Sequence, residues 1–165
     1  FRKYHPIGTK ARLALEMMLF LGLQRSDVMR VGIQHIKDEV MSIKTQKTGT
    51  QVTIPIAGTL QKCIEATQYT GEVFLTSPSG KKYANDDSFG TWFKNQCKKA
   101  DLPNQCTAHG LRKAGATIMA NAGVSSHELM AMYGWSKLSM AEIYTKEADK
   151  KKLSSNAIKA LSKSI

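Results

Sequence analysis

One short stretch of this chain alternates apolar and polar residues with a period of two, while nearly everything around it repeats with the period of a helix. From Ile33 onward the apolar positions cluster at Ile36, at residues 40–43 and at residues 52–56, separated by Asp38-Glu39 and by Lys47-Thr48-Gly49-Thr50. Runs of this length, bounded by turn formers, predict three short strands joined by tight turns. Connections so short force antiparallel pairing, since a parallel pair needs a long crossover. The chain must therefore carry one small antiparallel sheet and cover it with helices.

The helical signals supply that cover. Ile7, Ala11, Ala14, Leu15, Met18 and Leu21 fall at helical spacing and predict a helix over residues 7–21, ended by Gly22. Ser26 then stands where an N-cap belongs, with Asp27 in the first turn of a short second helix. Residues 58–69 return to helix. Pro78, Gly80 and the cluster Asn85-Asp86-Asp87-Ser88 mark a loop and a capped helix through Ala100, and Pro103 closes the next loop. Helices follow over 107–122, 126–133, 138–146 and 149–163, separated at Gly123 and Gly134. The expected fold class is α+β, mainly helical, with a small three-stranded antiparallel sheet.

At 165 residues the chain fits one domain, and its 42% hydrophobic and 22% charged content excludes a disordered or fibrous protein. The longest apolar run, over residues 13–23, is interrupted by Glu16 and is too short for the ~20 residues that span a bilayer. No membrane partner is expected. Three cysteines cannot all pair, which suits a reducing, cytoplasmic setting. The opening Phe1-Arg2-Lys3-Tyr4-His5-Pro6, without an initiator Met, is read as the start of a domain cut from a longer chain.

Charge narrows the partner. The net charge is +11, built from ten basic against six acidic residues through position 80 and fourteen against seven beyond it. An excess spread over both halves is no basic tail on a neutral domain. It points to a polyanion, and nucleic acid is the commonest.

Four local patterns carry chemistry, and each has a plain structural reading beside it. In Thr107-Ala108-His109-Gly110-Leu111-Arg112-Lys113, His109 and Arg112 share one helix face near a capped N-terminus that attracts anions. Such pairs also occur on solvated helix faces. Tyr133-Gly134-Trp135, with Tyr144 nine residues after the tryptophan, can equally be core packing. Lys47 in its Lys-Thr-Gly turn can be a simple surface lysine. Gly22-Leu23-Gln24-Arg25-Ser26-Asp27 is a helix start that carries an arginine.

In this order and at these gaps, the four patterns resemble the catalytic domain of the tyrosine recombinases, the phage integrase family. That family's pattern is Gly-x-Arg-x-Ser-(Glu/Asp), a hairpin Lys, His-x-x-Arg, then Leu-Gly-His or Trp nine residues before a Tyr. The resemblance covers residues 7–150. It implies that the whole of 1–165 is a catalytic domain, a fragment lacking an N-terminal core-binding domain. It also implies a bacterial or phage-encoded, nucleoid-associated enzyme of mobile elements that works in DNA integration and site-specific DNA recombination.

By that resemblance Tyr144 is the nucleophile, Arg112 clamps the phosphate, Lys47 is the general acid, His109 assists proton transfer, and Trp135 packs and donates its indole N–H. The residue types suit the reaction independently. A phenol can carry a covalent phosphate but is mostly protonated at neutral pH, so it needs help in losing its proton. Guanidinium groups can hold the charge that builds on the phosphate oxygens. Arg25, Lys113 and Lys137 are expected to meet the DNA backbone. No cofactor or metal is implied. A zinc site from Cys97, Cys106 and His109 has unsuitable spacing and no fourth ligand.

One position departs from the family. Anchored on Gly22 and on Ser26-Asp27, the first arginine of the pattern falls on Gln24. A neutral amide there implies impaired cleavage. Arg25 is not expected to substitute, because one step along a helix turns a side chain by ~100°. The competing readings are a type IB topoisomerase and a catalytically silent DNA-binding module. Leu153, Ile158 and Leu161 place an apolar face on the last helix. By resemblance that helix links protomers of a homo-oligomer, a tetramer on double-stranded DNA; the bland reading folds it back on its own domain.

Overall fold

The computed structural model describes residues 1–148 and 150–164. The first helix, α1, runs Lys10–Phe20 and begins where Thr9 Oγ1 accepts a hydrogen bond from Arg12 N at 3.2 Å. It starts later than the periodicity suggested, because Gly8 lies at φ +95° and Thr9 is extended. A second helix, α2, spans Arg25–Val28. Its N-cap is Gln24, in an extended conformation and without a side-chain capping bond, and not Ser26 as the sequence pattern suggested. Gly22 at φ +57° turns the chain straight out of α1, and the helix is re-entered after two further residues.

The sheet matches expectation closely. Strands β1 (Ile36–Lys37), β2 (Val40–Lys44) and β3 (Gln51–Pro55) pair antiparallel in that order. Asp38 and Glu39 both have positive φ, +50° and +60°, which is the backbone a tight two-residue turn demands. Met41 opposes Ile54 and Ile43 opposes Val52, so one face is apolar and buried while Ser42 and Thr53 face outward. The β2–β3 loop, closed by Thr45 N donating to Thr50 O at 2.9 Å, carries Lys47.

Helix α3 (Gly58–Ala66) is shorter than the expected 58–69, since Thr67 leaves the helix and its hydroxyl donates back to the carbonyl of Cys63. Helix α4 (Asp86–Lys99) starts at Asn85, whose Oδ1 accepts from Ser88 N at 2.8 Å. Then come α5 (Ala108–Ala122), α6 (Ser126–Tyr133), α7 (Leu138–Lys146) and α8 (Lys150–Ser164). The expected start of the last helix at Asp149 lies outside the described residues. Among these helices none is long and apolar enough to cross a membrane.

Two cores form. The larger joins Leu13, Met17, Met41, Phe74, Phe89 and Phe93 from α1, the sheet and α4. The smaller joins Ala116, Leu129, Tyr133 and Ala141 from α5, α6 and α7. Inside the larger core Glu16 is fully buried, and it is held by Arg2 and by Arg12 one helical turn before it. Arg12 is only 12% exposed, whereas Arg2 is 50% exposed. Glu16→Gln therefore leaves a buried guanidinium without its counter-charge, at an expected cost of about 3 kcal/mol in urea unfolding. Arg2→Ala should cost under about 1 kcal/mol in the same measurement.

Candidate active site

The capped start of α5 is where the site begins. Thr107 Oγ1 accepts from Gly110 N at 3.1 Å, fixing the first turn, and His109 and Arg112 leave the same face. Arg112 reaches the end of α6, where its Nη2 donates to the carbonyl of Tyr133 at 2.8 Å. That carbonyl belongs to the last turn of a helix, where acceptors lack intrahelical donors and the dipole favours a cation. The guanidinium also lies 4.7 Å from the Tyr133 ring centroid and 5.6 Å from that of Trp135.

Two aromatic rings then lead to Tyr144. Tyr133 and Trp135 stack at 4.7 Å, and Trp135 and Tyr144 stack at 5.5 Å with only 2° between their planes. Gly134 makes this run possible. Its φ of +63° is left-handed, and a Cβ there would come within 2.8 Å of Val52 Cγ2 on the hairpin. The Tyr-Gly-Trp turn is thus pressed against β3, which brings the hairpin to the same place.

These elements enclose a cleft of about 350 Å³ lined by Gln24, Arg25, Lys47, His109, Arg112, Lys113, Trp135 and Tyr144. Lys137 does not line it; this exposed lysine is the N-cap of α7. Arg25 does line it, although it was not expected to substitute for an arginine at position 24. The helical rotation of ~100° per residue does not apply, because Gln24 is an extended N-cap with ψ 159°. Cys97 and Cys106 line an apolar groove with Thr107 and Leu111, on the far side of α5 from His109. No group of three or more His, Cys, Asp and Glu that could hold a metal occurs among the described residues.

Three contributors were not named as site residues in the sequence reading. Asp86 lines the cleft and pairs with Arg25. Tyr133 supplies both carbonyl and ring to Arg112. Asp27, expected as a first-turn acid, is fully buried and accepts from Gln46 N at 2.8 Å and from Arg30 at 3.2 Å. It ties α2 to the hairpin that carries Lys47. Alternation in the hairpin gave no sign of this bond, because the acceptor lies 19 residues away in sequence.

The electrostatics favour an anion. Among the described residues Arg112 makes no ion pair, and burial pulls its pKa below the usual arginine value while Tyr133, Tyr144 and Asp27 act the other way. It stays charged regardless. Arg25, Lys47 and Lys113 share the lining with a single carboxylate, Asp86. A partly desolvated guanidinium that no carboxylate neutralises by an ion pair is a receptor for an oxyanion.

Comparison with known proteins fits this geometry. The architecture is that of the tyrosine recombinase catalytic domain. A crystal structure of XerA recombinase superposes with a TM-score of 0.71 at 12% identity, over 92% of this chain and 56% of that one. The Tn1549 transposon integrase in complex with a circular intermediate DNA gives 0.70 at 16%, over 89% and 57%. A lambda integrase dimer bound to a core site gives 0.68 at 20%, over 86% and 55%. The chain thus spans a little over half the length of these solved structures. No curated protein matches it by sequence. The sequence profile of the phage integrase family matches residues 1–151, and the chain belongs to that family.

Tyr133 offers a test of the aromatic run. Its hydroxyl is buried with no hydrogen-bond partner among the described residues, and burial pushes its pKa up to about 12. The unfolded phenol, near 10, loses its proton first, so the unfolded state gains stability as pH rises from 10 towards 12. Folding stability should fall by about 2 kcal/mol over that window and fall less in Tyr133→Phe. At neutral pH the variant should be nearly as stable as the parent, since no bond is lost. Urea unfolding at a series of pH values reads both.

Proposed function

We propose that this chain is a site-specific DNA recombinase, a DNA strand transferase that cuts and rejoins duplex DNA through a 3′-phosphotyrosyl intermediate. The observation that carries the reading is the stacking of Tyr144 on Trp135 beside Arg112, a guanidinium with no carboxylate partner among the described residues. The phenol oxygen of Tyr144 attacks the scissile phosphorus, its proton passing to His109. The new O–P bond forms as the bond to the 5′-oxygen breaks, and that oxygen takes a proton from Lys47. Arg112 holds the non-bridging oxygens, where charge accumulates. Reversal by a 5′-hydroxyl of another strand rejoins the DNA without an external energy source, because the phosphotyrosyl bond retains the energy of the original ester.

Lys113, on the wall of the cleft that Arg25 also lines, is suited to a flanking phosphate, a contact that fixes position along the duplex. Lys137, outside the cleft, is assigned to the DNA backbone further away. The expected setting is the cytoplasm, on the nucleoid. Gln24 lowers the rate, since its neutral amide replaces a charged fork at the cleft wall. A nicked duplex bearing the recombination site traps the covalent product. Adduct should be absent in Tyr144→Phe and should form at least about ten-fold faster in Gln24→Arg than in the parent. Adduct from Tyr144→Phe, or none from parent and Gln24→Arg alike, defeats the proposal.

Assembly on DNA is assigned to α8. Its first turns dock in cis, with Leu153 against the smaller core and Asn156 donating to the carbonyl of Ala122 at 3.3 Å. Further along, Ile158 and Leu161 are 62% and 57% exposed. That distal half is suited to a neighbouring protomer of a tetramer. Removing residues 157–165 should weaken multimer formation on DNA in sedimentation while leaving the urea unfolding curve unchanged.

A further inference from the structure

Gln24 leaves the cleft one guanidinium short of what the proposed reaction needs, and the next residue carries one. Arg25 lines the same cleft as Gln24, Lys47, Arg112 and Tyr144. Its side chain lies along the start of α4, over Gly90, where a Cβ would collide with Arg25 Nη1. There Nη2 meets Asp86 at 3.3 Å and Asp87 at 3.4 Å.

Those bonds are weak holds. Charge-assisted N–H···O bonds close to about 2.7–2.9 Å when well made, and both of these are longer. All three side chains are substantially solvent-exposed, at 32% for Arg25, 45% for Asp86 and 87% for Asp87. Exposed pairs of this kind are screened and contribute little. The aspartates have a second reason to be where they are: both stand in the first turn of α4, where the helix dipole favours negative charge. Releasing Arg25 therefore does not strand them.

We propose that Arg25 is a catalytic residue of this chain, which leaves Asp86 and Asp87 when DNA enters and takes over part of the role of the arginine absent at position 24. The inference rests on the strand-transfer reading above. Asp86 itself lines the cleft, so an incoming phosphodiester brings a like charge towards it and a competing acceptor towards Arg25. The phosphate wins because it lies between two guanidiniums, Arg25 and Arg112, whereas the carboxylates face one. The same aspartates suppress non-specific engagement of DNA phosphates by holding Arg25 aside until the scissile group is seated.

The test uses the nicked duplex in two forms, with an ordinary scissile phosphodiester and with a methylphosphonate, in which a neutral methyl replaces one charged oxygen. Arg25→Ala should slow adduct formation at Tyr144 by about 10²–10³ on the phosphodiester and much less on the methylphosphonate, which has less charge to stabilise. Arg25→Lys should retain part of the phosphodiester rate. Asp86→Asn/Asp87→Asn should raise that rate several-fold, whereas a loss there as well would mean the ion pairs serve only to hold α2 on α4. Parental rates in Arg25→Ala, or equal losses on both duplexes, overturn the role of Arg25 while leaving Tyr144 as nucleophile. Adduct that survives Tyr144→Phe, or is absent from the parent and Gln24→Arg together, removes the underlying reading and this inference with it.

Discussion

A single hydrogen bond, from Arg112 to the carbonyl of Tyr133, joins the parts that make a site of this fold. It runs from the first turns of one helix to the last residue of another, which chain connectivity separates by 21 positions. Gly134 ends α6 in a left-handed turn, and the preceding carbonyl is one of the acceptors a helix end leaves open. A guanidinium satisfies it and is favoured there by the helix dipole. The same guanidinium covers the faces of Tyr133 and Trp135, so cation, carbonyl and two rings fix one another. Because the carbonyl takes only one edge of the fork, the remaining donors stay available to a ligand.

The hairpin is held to this arrangement from below. Asp27 is buried between α2 and the β2–β3 loop and accepts the backbone N–H of Gln46, the residue before Lys47. A buried carboxylate in this position is costly unless bonded. The position of Lys47 beside the cleft thus depends on an acid two elements earlier. Gly134 closes the third side, since its missing Cβ lets the Tyr-Gly-Trp turn approach Val52 on β3.

Periodicity and capping made most of the fold legible before any coordinate was known. The two-residue alternation over β2 and β3 and the cap signals at Asn85 and Thr107 depend on neighbours in sequence, and these elements fell close to where the pattern put them. Gathering His109, Arg112, Lys47, Trp135 and Tyr144 into one cleft was expected from the resemblance and not from periodicity. Features governed by a distant partner were missed. Ser26 looked like a cap, but the chain re-enters helix two residues earlier than that implies, at Arg25, with Gln24 as the cap. The rotation argument applied to Arg25 assumed a helical backbone, whereas Gln24 before it is extended. Asp86 read as a helix-start acid, and its place on the cleft wall follows from packing between α2 and α4.

The two cores divide the site unequally, and that division bears on how it works. Arg25, Lys47 and Gln24 hang from elements of the larger core, with its phenylalanines and long aliphatic side chains. Tyr144 hangs from the smaller, whose buried members are four alanines, one leucine and Tyr133. Alanines bury little apolar area, so much of the apolar burial around this core comes from half-buried side chains packed on it, among them Met119, Met130, Trp135 and Leu153. Elements with few buried apolar contacts are the ones that open at low cost. In the proposed reaction, a nucleophile at Tyr144 that must advance on a phosphorus atom, remain bonded to it and later withdraw is suited to such an element. The groups proposed to hold the phosphate are suited to the rigid one, because electrostatic stabilisation works only when the donors stay fixed as charge develops. Arg112 spans the seam: its backbone lies in α5, beside both cores, and its guanidinium is bonded to the end of α6.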